Sequence, residues 1–210
     1  MWRGHSCPRP LSSAPYNNGM LVLASASPRR QELLRNAGIA FEVQPANIAE
    51  DQLPGEAAKD CAKRLARDKA LAVARQHPHD CVLGADTVVV VDGHLLGKPT
   101  DAADAARMLR LLSGRKHQVI TGGCLGASGQ WSVVSQTTSV TMSEITEKEI
   151  ADYVASGEPM DKAGAYAIQG IASRWIPRIE GDYSNVVGLP VALVFQMLRE
   201  HAGETENLKW

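Results

Sequence analysis

An α/β domain is predicted for this 210-residue chain from three observations. Hydrophobic residues make up 44% and charged ones 21%, enough apolar matter for one buried core and too little for two ample ones. Short apolar runs alternate with stretches in which apolar residues recur at helical spacing. One run, Cys81 to Val91 (CVLGADTVVVV), is nearly continuous in apolar and β-branched residues, the pattern of a central strand.

The elements follow in order. Leu21 to Ala24 reads as a strand, Ser25 to Pro28 as a turn and Arg29 to Asn36 as a helix, with Ser27 as N-cap and Pro28 in the first turn, where its missing N–H costs nothing. Gly38 stops that helix, and Phe41 to Gln44 makes a second short strand. A polar loop, Pro45 to Pro54, leads to a long helix over about 56–76 with Ala58, Ala62, Leu65, Ala66, Lys69, Ala70 and Val73 on one side. After the central strand, Asp92-Gly93 signals a two-residue hairpin returning through His94, Leu95 and Leu96. A helix over 102–112, antiparallel strands over 117–126 and 131–142, and a helix over 146–155 with Thr146 and Glu149 as capping pair come next. Residues 160–170 read as a loop, 175–179 as a strand, and Gly188-Leu189-Pro190 opens a last amphipathic helix through Val194, Met197 and Leu198.

Composition also limits the partners. With 22 basic and 23 acidic residues, the net charge of -1 gives no overall attraction to nucleic acid or to an anionic membrane, so a bound polyanion must be held locally. Cys7, Cys61, Cys81 and Cys124 stand singly without metal-ligand spacing and read as reduced, mostly buried thiols of a cytoplasmic protein. No apolar run reaches the roughly 20 residues that span a bilayer. Residues 1–19, with Pro8, Pro10 and Pro15, lack the apolar stretch of an export signal and read as a disordered extension, or as sequence upstream of a true start at Met20. Residues 204–210 read as a polar tail.

Four places carry polar residues that fold-building does not ask for. In SASPRR, Arg29 and Arg30 sit at a helix start, where the positive end of the dipole disfavours them unless an anion is present; two solvated arginines are the plain alternative. Asp86 is a carboxylate inside an apolar strand, expensive to bury unless paired, hydrogen-bonded or metal-bound. It is a catalytic base, a magnesium ligand, or the partner of a bulge or turn. Lys98, in Leu96-Gly97-Lys98-Pro99, is carried back toward Asp86 by the hairpin, or is a solvated turn lysine. Gln169, in AYAIQG, offers a donor and an acceptor suited to a base edge. Lys69 and Glu50 are further candidates, each by itself an ordinary surface residue. No GxxxxGK or GxGxxG segment is present, so phosphates need another device.

The ordered blocks LASASPRR, the Glu50-Asp51 loop, RLARDKA, LGADTVV, GKP, SGRKHQVITG, DKAGAYAIQG and VVGLP resemble the Maf family of nucleoside triphosphate pyrophosphatases, once described as septum-formation inhibitors. The likeness runs from Met20 to Ala202. It implies a single Maf/ITPase-like α/β domain over 20–203, with a central mixed β-sheet flanked by helices and a cleft between two lobes. It makes Asp86 the acid/base of catalysis, sets Ser25, Arg30, Lys69 and Lys98 around the phosphates, and puts Glu50 and Asp86 at a divalent metal, Mg2+ or Mn2+. Arg29, Thr87 and Gln169 match the positions that separate substrate classes and resemble the dTTP/UTP branch. The 7-methyl-GTP branch would show an aromatic before the arginine, DQ after the strand carboxylate and Ser-Glu for Ile-Gln. Water attacking the α-phosphorus, with pyrophosphate leaving, is the implied reaction, and a homodimer the implied assembly. The competing class is a non-hydrolytic regulator of septum formation that binds a protein or nucleic-acid partner; a nucleotidyltransferase lacks its Gly-rich signature here.

Overall fold

The longest apolar run becomes the axis of the sheet. In the computed structural model, which describes residues 20–127 and 129–201, β3 (Cys81–Val91) pairs antiparallel along one edge with β5 (Lys116–Ala127), from Val82 opposite Gly126 to Val90 opposite Gln118. The other edge of β3 is shared. β1 (Leu21–Leu23) runs parallel to residues 81–83, and β4 (His94–Leu96) folds back on 89–91. Between them, residues 84–88 have a strand partner only on the β5 side. With β2 (Glu42–Val43) beside β1, and β6 (Gln130–Thr141) and β7 (Arg178–Glu180) beyond β5, the order is β2-β1-β3-β5-β6-β7 with β4 on β3. The sheet is therefore mixed, and its central strand is open in the middle of one edge.

That gap divides two cores. One gathers Leu21, Leu23, Leu34 and Leu83 with Val194, Met197 and Leu198, joining α1 (Pro28–Asn36) and α6 (Val191–His201) to the first half of β3. The other gathers Val89, Val91 and Leu96 with Leu109, Leu112, Ile150 and Tyr153, joining α3 (Ala102–Leu112) and α4 (Glu147–Ala155) to the second half. One face of the sheet is covered by α2 (Ala58–Ala74), whose buried stripe is Cys61, Ala62, Leu65, Ala66, Lys69, Ala70 and Val73. This helix sits very close because β3 and β5 present glycine where it crosses: a Cβ on Gly84 would lie 2.1 Å from the Ala66 carbonyl oxygen, and one on Gly122 2.2 Å from that of Ala62. No side chain fits there, so glycine sets the depth at which α2, and with it Lys69, enters the fold.

Local signals act as their chemistry requires. Asp92 and Gly93 both have positive φ (47° and 78°), as the tight hairpin demands. Thr146 and Glu149 form a reciprocal capping box. Ser27 is the N-cap of α1 by position, but its side chain makes no capping bond. Three expectations change. The loop expected over 160–170 contains two 3-10 turns, Glu158–Asp161 and Ala163–Ala165. The strand expected over 175–179 is a 3-10 turn, Ile171–Trp175, followed by β7, because only residues 178–180 pair with β6 while Trp175 stacks edge-on against Tyr153 in the core. A short helix, α5 (Tyr183–Val187), was not expected; Asp182 caps it by accepting from the Ser184 and Asn185 amides. The N-terminal extension, the polar tail, Cys7 and Ser128 lie outside the described residues. Cys61, Cys81 and Cys124 are buried and unpaired, and among the described residues no helix is long and apolar enough to cross a membrane.

If glycine sets the seat of α2, Gly84→Ala and Gly122→Ala must each displace main chain and cost at least about 2 kcal/mol of stability in urea unfolding. Gly129→Ala, where a Cβ meets nothing within 4 Å but φ is +86°, should cost about 1 kcal/mol.

Candidate active site

Because residues alternate across a strand, Asp86 and Thr87 point to opposite faces of the sheet. Asp86 shares the α2 face with Gly84; Thr87 shares the other with Ala85, toward α1 and α5. Only at the open edge of β3 can one cleft reach both. A cleft of about 690 Å³ opens there, and Ser25, Arg29, Arg30, Glu50, Lys69, Asp86, Thr87, Lys98 and Gln169 all line it. The structure thus brings together every site residue singled out in the sequence, from six separate stretches of chain.

On the α2 face, the Lys69 ammonium lies 2.6 Å from Asp86 Oδ1 and 2.8 Å from Glu50 Oε1, and Lys98 Nζ lies 3.1 Å from Glu50 Oε2. Lys69 and Asp86 are buried, so each supplies the counter-charge that makes burial of the other tolerable. Burial alone would raise the Glu50 carboxyl; hydrogen bonds and charge from Lys69, then Lys98, outweigh it and hold the group below its ordinary value. Two carboxylates bracketing one ammonium are close enough to share a cation. Asp86 Oδ2 has no protein donor among the described residues.

On the opposite face, the buried Arg30 guanidinium donates through Nε to the Gly188 carbonyl (2.8 Å), through one terminal nitrogen to Ser25 Oγ (3.0 Å) and through the other to Thr87 Oγ1 (3.0 Å). Burial lowers its pKa, against the opposing charges of Asp86 and Glu50, but an arginine starts so high that it stays protonated. Of its five N–H groups three are used, leaving one on each terminal nitrogen, the pair that forks a phosphate. Ser25 Oγ accepts from Arg30 and from the Ser27 amide (3.3 Å), so its own proton is unspent. Lys69 has a third N–H beyond its two carboxylate bonds. The amides of Arg29 and Arg30 lie in the first turn of α1, where a helix supplies no acceptor. Arg29 itself crosses the cleft mouth to Asp161 (3.1 Å).

Behind the cleft lies a polar layer that the sequence did not reveal. The buried polar residues are Ser25, Arg30, Lys69 and Asp86 in the cleft, and His117, Thr121, Thr138 and Asn185 beneath it. His117 Nε2 bonds the hydroxyl of Tyr166, which lines the cleft (2.8 Å). The Tyr153 hydroxyl accepts from the Ala167 amide and donates to Glu158, whose carboxylate also accepts from the Ile171 amide. Gln169 therefore stands on a loop pinned on both sides. At its neighbour, a Cβ on Gly170 would lie 2.1 Å from Glu158 Oε1, so any side chain there would have to displace the carboxylate that holds the loop. These partners are separated by up to tens of residues, and nothing in local pattern marks them.

Fold and cleft define an α/β protein with a cation-lined cleft suited to an anion, and sequence comparison gives the family. Residues 20–201 match the Maf-like protein family, and the chain belongs to it. A relative from Koribacter versatilis named dTTP/UTP pyrophosphatase is 60% identical over 185 residues, covering 88% of this chain and 96% of its own. Relatives of the same name from Geobacter metallireducens and Geobacter sulfurreducens are 50% and 51% identical, covering 87% and 86% of this chain and 96% of theirs.

His117 gives a pH test of the layer beneath the cleft. Burial lowers its pKa from 6.5 to about 4, so the folded protein resists a proton that the unfolded chain accepts. The stabilisation from neutral His117 is complete above pH 6.5 and is lost as pH falls toward 4, by about 3 kcal/mol over that window. Urea unfolding at pH 7 and pH 4.5 should show this loss in the wild type, and His117→Phe should flatten that part of the slope.

Proposed function

We propose that this protein hydrolyses nucleoside triphosphates, dTTP and UTP foremost, to the nucleoside monophosphate and pyrophosphate. One observation carries the proposal: unspent donors on Ser25, Arg30 and Lys69 converge in a single cleft on a strand carboxylate, Asp86, that keeps an unbonded oxygen. Such donors suit an anion with many oxygens, and the cleft falls within the roughly 300–1,000 Å³ of small-molecule sites. The names of the relatives from Koribacter and Geobacter support the same substrates.

In this reading Arg30 takes phosphate oxygens through its two free N–H groups, and Ser25 donates its hydroxyl proton beside it. Lys69 and Lys98 offset the charge that develops on the leaving pyrophosphate. Asp86 orients a water against the α-phosphorus and accepts its proton, while Lys69 holds the carboxylate in place at 2.6 Å. Phosphoryl transfer asks chiefly for positioning and charge neutralisation, and these side chains supply both. Gln169 reads the base from its pinned loop, with Arg29 and Thr87 as further determinants of substrate class.

Glu50 and Asp86 fit a divalent cation. Both reach one ammonium, so they lie within bridging distance of each other, and two carboxylates are the usual protein share of a Mg2+ site that phosphates complete. No group of three or more His, Cys, Asp or Glu residues gathers among the described residues, which suits this open arrangement and not a closed cage. When bound, Mg2+ or Mn2+ would neutralise phosphate oxygens next to the carboxylates. We place the protein in the cytoplasm, in keeping with its unpaired cysteines, and expect a homodimer, which light scattering on a sizing column would measure.

Pyrophosphate release from dTTP, UTP, CTP, GTP and 7-methyl-GTP with Mg2+ or Mn2+ tests the function. The expected ranking puts dTTP and UTP first; release at background from every nucleotide would favour a non-hydrolytic binding protein. Asp86→Asn, which keeps an oxygen for Lys69, should lower kcat by about 10²–10⁴-fold while nucleotide still binds. Gln169→Ala should change the order of the nucleotides.

A further inference from the structure

Thr87 stands among the residues assigned above to substrate class, yet its hydroxyl meets no open space first: it meets Arg30 at 3.0 Å and Thr121 Oγ1 at 3.0 Å. The acceptors within reach favour one direction for these bonds. The Asn185 carbonyl, 3.2 Å from Thr121 Oγ1, can only accept, so Thr121 donates to it. With its proton so used, Thr121 accepts from Thr87. Thr87 in turn has a lone pair for the guanidinium and no proton left for a ligand. Among the described residues the competing acceptor for Thr87 is the Gly188 carbonyl, which lies farther away at 3.4 Å than Thr121 Oγ1 at 3.0 Å.

The far end of the chain of bonds is itself fixed. Asn185 is fully buried, and its Nδ2 donates to the Val119 carbonyl (3.0 Å) and to Thr138 Oγ1 (3.0 Å). The near end is fixed by register, since Thr87 and Thr121 are directly paired across β3 and β5. We propose that Thr87, Thr121 and the Asn185 carbonyl form a one-directional hydrogen-bond relay that aims the two free N–H groups of Arg30 at the phosphates. Thr121 is then a positioning residue that acts through Thr87 and Arg30 on every nucleotide alike. The proposal rests on the pyrophosphatase reading for its assay, but not for its geometry.

The test compares Thr121→Val, which keeps shape and removes the hydroxyl, with Thr121→Ser, which keeps the hydroxyl, and with Thr87→Val. On dTTP, UTP, CTP and GTP, Thr121→Val and Thr87→Val should each lower kcat/KM by roughly tenfold, the cost of about one hydrogen bond to a charged group, and Thr121→Val by the same factor for every base. Thr121→Ser should recover most of the loss. A mere packing role would not distinguish valine from serine in this way. Wild-type activity in both valine variants, a changed order of nucleotides in Thr121→Val, or a serine variant as impaired as valine would overturn the relay. If Thr121→Val does not fold, Thr87→Val decides by the same loss in kcat/KM. If the wild type hydrolyses no nucleoside triphosphate, the pyrophosphatase reading falls alone, and calorimetric binding of inorganic tripolyphosphate decides the relay: roughly tenfold weaker binding by the valine variants supports it. Equal binding, or none by the wild type, overturns it.

Discussion

Placing a carboxylate on the central strand of an apolar sheet is a cost that folding recovers only when a cation is set beside it, and here that cation is also buried. Asp86 and Lys69 meet at 2.6 Å, and removing either partner of such a pair typically costs about 3–5 kcal/mol because the other is left charged in a poorly solvated place. The pair depends in turn on two glycines. Without Gly84 and Gly122 the α2 main chain could not come so near, and Lys69, carried in the apolar stripe of that helix, would not reach the strand. One electrostatic contact therefore constrains the composition of two strands and the packing of a helix.

The interrupted edge of β3 explains how a narrow site can use both faces of a sheet. β1 ends and β4 begins on the same edge with residues 84–88 between them, so a ligand lying at the gap reaches Asp86 from one side and the Arg30 cluster from the other. Separation by the sheet keeps the two groups of charges from collapsing onto each other. Arg30 is satisfied by neutral oxygens of Gly188, Ser25 and Thr87, not by a carboxylate, so a phosphate need displace no competing protein anion to bind it.

Legibility in the sequence followed the range of the interaction. β3 could be bounded from its β-branched run, the hairpin from Asp92-Gly93 and α4 from Thr146 and Glu149, because each depends on neighbours within a few residues. Asp86 is visible as a charge in an apolar strand, whereas Lys69, on the apolar side of its helix, reads by itself as an ordinary surface residue and is buried in the fold. What stayed hidden is long-range: Thr121 reaches Asn185 across 64 residues and Arg30 reaches Gly188 across 158, and an isolated threonine in a strand has no mark that distinguishes a relay from a good strand former. The α5 helix was missed for a related reason. Five residues cannot sustain a helix by propensity, and this one is held by the Asp182 cap and by Asn185 anchored in the core.

The polar contacts of the cleft also differ in how readily they can yield. At the mouth, Lys98 with Glu50 and Arg29 with Asp161 are ion pairs in which at least one partner is largely exposed to solvent, and pairs of this kind contribute about 0–1 kcal/mol. Parting them to admit a polyanion costs little, and each releases a cation to it. Deeper in, Arg30 and the loop of Gln169 are held by buried and part-buried bonds that satisfy one another, where an unmade bond costs up to about 1–3 kcal/mol. A multivalent anion entering the cleft can therefore rearrange the rim without disturbing the floor.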